Sequence, residues 1–353
     1  MLQRLTRRVS GTTLFMWLIG IAILAVVVYG TIATLASGKY GLKDWTDLTI
    51  NGLALGGIYA LIALGYTLVY GILRMINFAH GEVFMAGPMT AYFIITAFDE
   101  SGFLNRQPIL ALLIVFLFAA AVSTTIAVLL ERIAYRPLRR APRLVPLITA
   151  IGASFFLQYT FRGLFGSGIK SYPLPDILQG DWTVGPITIL KIRAVVIVAA
   201  IIMLVGLYIF VQRTKVGKAM QAVSEDKDTS ALMGIDVDSV IVTTFVVGGA
   251  LAGAAGVLYA LMFRQVTFIM GFIPGLKAFT AAVLGGIGNV AGAALGGLFL
   301  GIAESVFPNL VLDGLGIPAP YQLRDALAFV LLVLVLIFRP SGILGERLAA
   351  KKA

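Results

Sequence analysis

Ten apolar stretches dominate the chain and leave little sequence over for anything else to fold. A helix that crosses a bilayer needs about 20 mostly apolar residues, because the hydrocarbon is about 30 Å thick and each residue rises about 1.5 Å. Runs that reach or approach this length occupy residues 14–36, 48–72, 83–98, 109–130, 145–164, 194–211, 239–263 and 323–338. Two more, 276–286 and 290–307, are apolar but broken by glycine, and the first is too short to cross at full thickness. In lipid every backbone N–H and C=O must be bonded internally, so such runs become helices. Charged residues are 12% of the chain. A soluble domain carries about 25%, so no soluble arrangement covers this much apolar surface. The sequence predicts an all-α integral membrane protein, one domain over residues 1–353, with about ten membrane segments, two of them short or broken. The first run is too long, and too poor in a small-residue cleavage site, for a secretory leader.

Basic residues recur in alternate links. They are Arg4, Arg7 and Arg8 before the first run, and Arg132, Arg136, Arg139, Arg140 and Arg143 in the link 131–144. Arg213, Lys215, Lys218 and Lys227 follow in the link 212–238, and Arg339, Arg347, Lys351 and Lys352 in the tail. The intervening links are acidic, with Asp44 and Asp47, Asp99 and Glu100, and Asp176 and Asp181. Positive loops stay in the cytoplasm, so the pattern predicts a zigzag with both termini inside. Most of the net charge of +10 is then an orientation signal and not a nucleic-acid patch. A tail inside also requires the glycine-broken region to cross twice.

Two halves of the zigzag, 48–164 and 239–338, enter from opposite sides, which is the parity of an inverted-topology repeat. Each opens with a small-residue helix, Gly52, Gly56 and Gly57 in one and Gly248, Gly249, Gly253 and Gly256 in the other. Each continues into an irregular stretch, 77–87 and 271–292. Interrupted helices at matching positions point to a translocation path, here through Asn77, His80 and Glu82 in one half and Gly285, Gly286, Gly288 and Asn289 in the other. Small-residue helix packing explains the same glycines without a path. His80 and Glu82 read either as a proton relay or as a helix break near the cytoplasmic interface, with Glu82 facing a helix N-terminus.

Covalent chemistry is not expected. There is no cysteine and one histidine, which removes thiolate chemistry and the usual multi-histidine metal site, and no catalytic residue or cofactor is predicted. Gly286, Gly288 and Ala291 match a dinucleotide fingerprint, but no strand precedes them. Gly163, Gly168, Lys170 and Ser171 approximate a phosphate loop whose Gly and Lys are not adjacent. Any ATP-driven step then falls to another subunit.

The link 212–238 is the most informative soluble piece. Ser224 or Asp228 can cap a short helix, Glu225, Asp226 and Asp228 load its first turn, and Gly234 supplies a stop. Ala231, Leu232 and Met233 would form a small apolar knob. It reads either as a helix lying on the membrane surface or as a docking element for a cytoplasmic partner.

Three blocks carry a family resemblance. They are Ile76-Asn77-Phe78-Ala79-His80-Gly81-Glu82, then Glu131-Arg132-Ile133-Ala134-Tyr135-Arg136-Pro137-Leu138-Arg139 with Pro146-Leu147-Ile148-Thr149-Ala150-Ile151-Gly152, then Lys277-Ala278-Phe279-Thr280-Ala281-Ala282-Val283-Leu284-Gly285-Gly286-Ile287-Gly288-Asn289. In this order they resemble permease subunits of branched-chain amino-acid ABC importers, most of all the first of the two paired permeases. The resemblance implies a pore completed by a second, paralogous permease, two cytoplasmic ATPase subunits and an extracytoplasmic binding protein, in the cytoplasmic (inner) membrane. It implies inward movement of branched-chain amino acids, and it places a coupling helix on 222–235. Related permeases for urea or short amides carry nearly the same blocks, and a proton-coupled carrier through His80 and Glu82 is the reading from outside that class.

Overall fold

The computed structural model describes residues 11–139, 141–142, 144–185, 187–339 and 341–345. The orientation signals at Arg4, Arg7, Arg8, Arg140, Arg143, Arg347, Lys351 and Lys352 lie outside the described residues. Thirteen helices follow in order: α1 (Gly11–Ser37), α2 (Leu42–Leu73), α3 (His80–Glu100), α4 (Phe103–Arg106), α5 (Pro108–Leu130), α6 (Leu144–Phe165) and α7 (Lys191–Arg213). Then come α8 (Lys215–Glu225), α9 (Lys227–Leu232), α10 (Val237–Phe263), α11 (Phe272–Gly285), α12 (Val290–Phe307) and α13 (Arg324–Phe338). Among the described residues nine helical segments are long and apolar enough to cross a membrane, and α11 is the shorter tenth. The chain is an all-α multi-pass membrane protein.

One end of the bundle carries α8 and α9. The other carries the two small sheets of the described residues: β1 (Lys170–Ser171) pairs antiparallel with β4 (Gln265–Val266), and β2 (Asp181–Val184) pairs with β3 (Ile187–Leu190). β1, β2 and β3 order the long link between α6 and α7, and β4 follows α10.

The core is built around α2, buried at almost every position from Gly52 to Ile72 and packed mainly on α12. Gly52 and Gly56 on α2 face Gly297 and Gly301 on α12. A Cβ at Gly52 would come within 2.8 Å of the Ile302 Cα, and one at Gly56 within 2.8 Å of the Leu298 Cα. Lipid tails are as apolar as leucine, so close backbone approach of this kind, and not water exclusion, is what joins helices in a bilayer. α10 packs on α5 by the same device, with Gly249 and Gly253 against Ser123 and Thr124. By contrast α1, α5, α6, α7 and α13 leave most of their apolar side chains uncovered, as lipid-facing helices do.

Candidate functional site

The interruption in the first half falls on residues 74–79, earlier than the 77–87 expected. α2 ends on Arg74, which adopts the left-handed conformation (φ 55°) and stops the helix with an N–H bond to the Tyr70 carbonyl. α3 then starts at His80. The second half repeats the device. α10 ends on Arg264, also left-handed at φ 55°, and α11 starts at Phe272 after an irregular stretch that includes β4. The two new helices begin against each other. A Cβ at Gly275 would lie 2.9 Å from the Gly81 Cα, and Gly271 and Gly81 meet carbonyl to backbone, so neither start tolerates a side chain.

This meeting point is deep. The His80 ring packs on Gly65 of α2, and its Cε1 would lie 3.8 Å from a Cβ on Gly248 of α10. Gly65 is eight residues from the end of α2 and Gly248 eleven from the start of α10, so the ring lies about 12–16 Å in from the α8 end. His80 is 2% exposed and Glu82 1%, so both are enclosed by the bundle. The first turn of α3 projects its polar groups inward. Asn77 Oδ1 accepts from the Tyr135 hydroxyl at 2.5 Å, Glu82 Oε1 accepts from Gln158 Nε2 at 2.7 Å and Ser154 Oγ at 3.1 Å, and Ser123 Oγ donates to the Val83 carbonyl at 2.7 Å.

A cavity of about 250 Å³ sits where α3, α6 and α11 converge. Gly81, Glu82, Ser154, Gly271 and Gly275 line it with Tyr66, Phe78, Ile151, Phe155, Phe272 and Leu276. The volume falls just below the ~300–1,000 Å³ of drug-sized clefts, which suits one small, largely apolar molecule. Ile151, Phe155 and Phe272 are also partly exposed, so the cavity adjoins the outer face of α6 and α11.

The structure separates the predicted path residues into two places. Asn77, His80 and Glu82 stand at the meeting of α3 and α11. Gly285, Gly286, Gly288 and Asn289 form the turn between α11 and α12, about 20 Å along α11 from that point. There Gly286 (φ 107°) packs on the backbone of Leu344 and Gly345. The N–H groups of Ile343 and Leu344 satisfy the last carbonyls of α11, Leu284 and Gly285, at 2.8 and 3.0 Å. Asn289 caps α12 through Gly292 N–H and donates to the Leu344 carbonyl at 3.0 Å.

The expected cytoplasmic helix is a pair of helices. α8 is capped by Thr214, and Ser224 and Glu225 form its last turn. The cap of α9 is Asp226, not Ser224 or Asp228: its Oδ1 accepts from the N–H groups of Asp228 (2.9 Å) and Thr229 (3.1 Å). The Thr229 hydroxyl and these amides hold the Asp226 carboxyl below its ordinary range. α9 ends in two reversed bonds, Ile235 N–H to Ser230 at 3.1 Å and Gly234 N–H to Ala231 at 3.0 Å, with Gly234 left-handed at φ 83°. Ala231 is exposed, Leu232 is 88% exposed and Met233 78%. Arg74 ties this region to the broken segment, donating to the Ser224 carbonyl at 2.7 Å. Arg139, between Glu131 and Asp238, ties the end of α5 to the start of α10.

One buried network had no counterpart in the sequence reading. Lys277 on α11 pairs with Glu304 on α12 at 2.5 Å and with Asp325 on α13 at 2.7 Å, and its Nζ lies 3.4 Å from the Tyr59 hydroxyl on α2. Four helices are thereby pinned to one ammonium.

The family model described as "Branched-chain amino acid transport system / permease component" matches residues 48–336, which contain both helix breaks, the cavity and α9. The chain belongs to this permease family. It is 42% identical over 302 residues to the high-affinity branched-chain amino acid transport system permease protein BraD of Pseudomonas aeruginosa, covering 84% of this chain and 94% of that one. It is equally 42% identical over 301 residues to the permease protein LivH of Escherichia coli K12, with the same coverage. A probable branched-chain permease LivH of Methanocaldococcus jannaschii is 26% identical over 317 residues, 87% of this chain and 95% of that one. A second permease of that organism, LivM, is 32% identical over 155 residues, 40% of this chain and 43% of its own length. No solved structure matches. These relatives are transport permeases and not enzymes.

Proposed function

We propose that this permease is one half of the pore of an ATP-driven importer that moves branched-chain amino acids inward, with its α8 end in the cytoplasm. The observation that carries the reading is α9. A six-residue helix with a side-chain cap at one end and a left-handed stop at the other is rigid, and it presents Leu232 and Met233 to solvent, where none of the described residues covers them. Such a knob suits insertion into a groove of a cytoplasmic ATPase, with Glu225 and Asp228 at a basic rim. Similarity to BraD and LivH supports the cargo class, and similarity to LivM a paralogous second permease; the reading adds two ATPase subunits and an extracytoplasmic binding protein.

The repeat halves, 48–164 and 239–338, give the path its design. α3 and the shorter α11 meet start to start, and the partner permease seats on the α6 and α11 face and encloses the cavity. Asn77, His80 and Glu82 line the route, and the Gly285–Asn289 turn anchors the far end of α11 so that it moves as a body.

Proteoliposomes holding this permease, its paired permease and the ATPases, supplied with binding protein and internal ATP, test the reading. Leucine, isoleucine and valine should accumulate only with all components present. Uptake of urea or acetamide in place of leucine would move the protein to the amide branch, and uptake without the ATPases would overturn the importer reading.

A further inference from the structure

The Glu82 carboxylate is in an unusual position. Both of its hydrogen bonds, from Ser154 and Gln158, converge on Oε1. Oε2 is buried and has no partner among the described residues. The ion pairs of the described residues engage other acids: Asp47, Glu131, Asp238, Glu304, Asp313 and Asp325. A buried carboxylate without a cation is costly, and a half-satisfied one more so. Its place in the first turn of α3 gives some relief, since the helix start is the positive end of the dipole. Glu82 lines the cavity, and that relief leaves its Oε2 without a donor. The rest of the wall is aromatic and aliphatic, from Tyr66, Phe78, Phe155, Phe272, Ile151 and Leu276. One free anionic acceptor in an apolar chamber is the complement of a small molecule with one cationic donor and a hydrocarbon body.

We propose that Glu82 is the ammonium subsite of the translocation path: Oε2 accepts a hydrogen bond from the cargo's protonated α-amino group while the aromatic wall takes its side chain. The inference rests on the importer reading and adds to it a site within the membrane that reads the cargo after the binding protein has released it. Ser154 and Gln158 are positioning residues, because they hold Oε1 and leave Oε2 for the cargo. A cation offered here supplies the charge that the fold omits, so the cargo is drawn in by its ammonium. A neutral amide offers only an uncharged donor to the same oxygen and is held less firmly.

The test uses the wild-type permease pair with its ATPases in detergent, without binding protein, and photo-leucine as probe. Irradiation should label peptides containing Phe155 or Phe272. Excess leucinamide, which keeps the ammonium and lacks the carboxylate, should suppress labelling. Equal 4-methylpentanoate, which lacks the ammonium, should not. Loss of one charge-assisted bond separates the two competitors by about tenfold to a hundredfold. Suppression by 4-methylpentanoate alone, or by both alike, overturns the assignment, and so does absence of label at these peptides.

Glu82→Gln and Glu82→Asp in the full system provide the second arm. Glu82→Gln should lower the leucine moved per ATP, read in complexes whose ATP hydrolysis responds to leucine-loaded binding protein, and Glu82→Asp should recover part of it. An unchanged leucine-to-ATP ratio in an active Glu82→Gln complex overturns the subsite and leaves the importer reading intact. A wild-type complex that loaded binding protein cannot stimulate overturns the importer reading instead. Should Glu82→Gln fail to assemble, the photo-leucine arm alone decides.

Discussion

Leu232→Asp separates docking from folding, because the side chain is 88% exposed in this chain. A substitution at such a position changes the stability of the permease itself by no more than about ±0.5 kcal/mol. In a partner's groove the same side chain becomes fully buried, and burial of a leucine is worth about 1.5–3 kcal/mol. Leu232→Ala forfeits most of that and should weaken association with the ATPase by about tenfold to a hundredfold, at 1.4 kcal/mol per decade. Leu232→Asp also strands a carboxylate in an apolar contact, adding about 3 kcal/mol or more, so association should fall by at least about three decades. The assay is retention of the ATPase on tagged permease through a salt-free wash, followed by ATP hydrolysis with loaded binding protein. Both should be lost in Leu232→Asp and reduced in Leu232→Ala, while the melting profile of the permease stays in place. Full retention and full stimulation with Leu232→Asp would show that α9 does not seat in the ATPase. Loss accompanied by a lowered melting profile would show that the exposed leucine had a structural role after all.

Further outcomes follow from other parts of the structure. Lys277→Met strips Glu304 of its close partner and leaves only Arg324 at 4.0 Å, so it should destabilise the permease by about 3–5 kcal/mol, whereas Glu304→Gln leaves the Lys277–Asp325 pair and should cost less. The double variant should be more stable than Lys277→Met alone, and thermal inactivation in detergent that ranks them otherwise refutes the pairing. Gly275→Val forces the starts of α3 and α11 apart at a 2.9 Å contact and should abolish uptake; wild-type transport would mean the two helices do not need to touch. In intact cells, cysteine at Ser171 should react with an impermeant maleimide and cysteine at Met233 should not, and the reverse pattern inverts the orientation. Asp226 has a depressed pKa in the fold, so its cap is in force above the ordinary carboxyl value of 3.8 and is lost only as pH falls through the lowered one. ATPase association should therefore be flat with pH down to that range, and a sharp loss near neutrality would assign the dependence to another group.

Much of the architecture was legible because lipid imposes it. Apolar length alone located each span to within about seven residues at either end, since a helix is the only way to satisfy those backbones. The knob of α9 was legible too, because a polar cap before a short run and a glycine stop after it have few other uses. What the sequence hid were partners far apart in the chain. Asn77 and Tyr135 are 58 residues apart, Glu82 and Gln158 are 76, and Lys277 and Tyr59 are 218. No periodicity links such pairs, so the sequence leaves Glu82 between a proton relay and a group near an interface, and the structure makes it a buried wall residue of a chamber. The break itself was misplaced by a few residues because its signal is conformational: a left-handed arginine at 74 and again at 264 carries no compositional mark.

The bond from Arg74 to the Ser224 carbonyl joins the last turn of α8, which runs into the α9 that would meet the ATPase, to the stretch of chain that leads, eight residues later, to Glu82. A tie of this sort works in both directions. If nucleotide closure on α9 alters how readily the chamber holds its cargo, then cargo at Glu82 must alter the grip of the ATPase on α9 by the same factor, whichever subunit is said to drive. The permease is then a sensor as much as a conduit. An occupied chamber makes itself known to the motor through a single guanidinium, and Arg74→Lys, which keeps the charge but not the planar fork, should leave each end working while the two cease to inform one another.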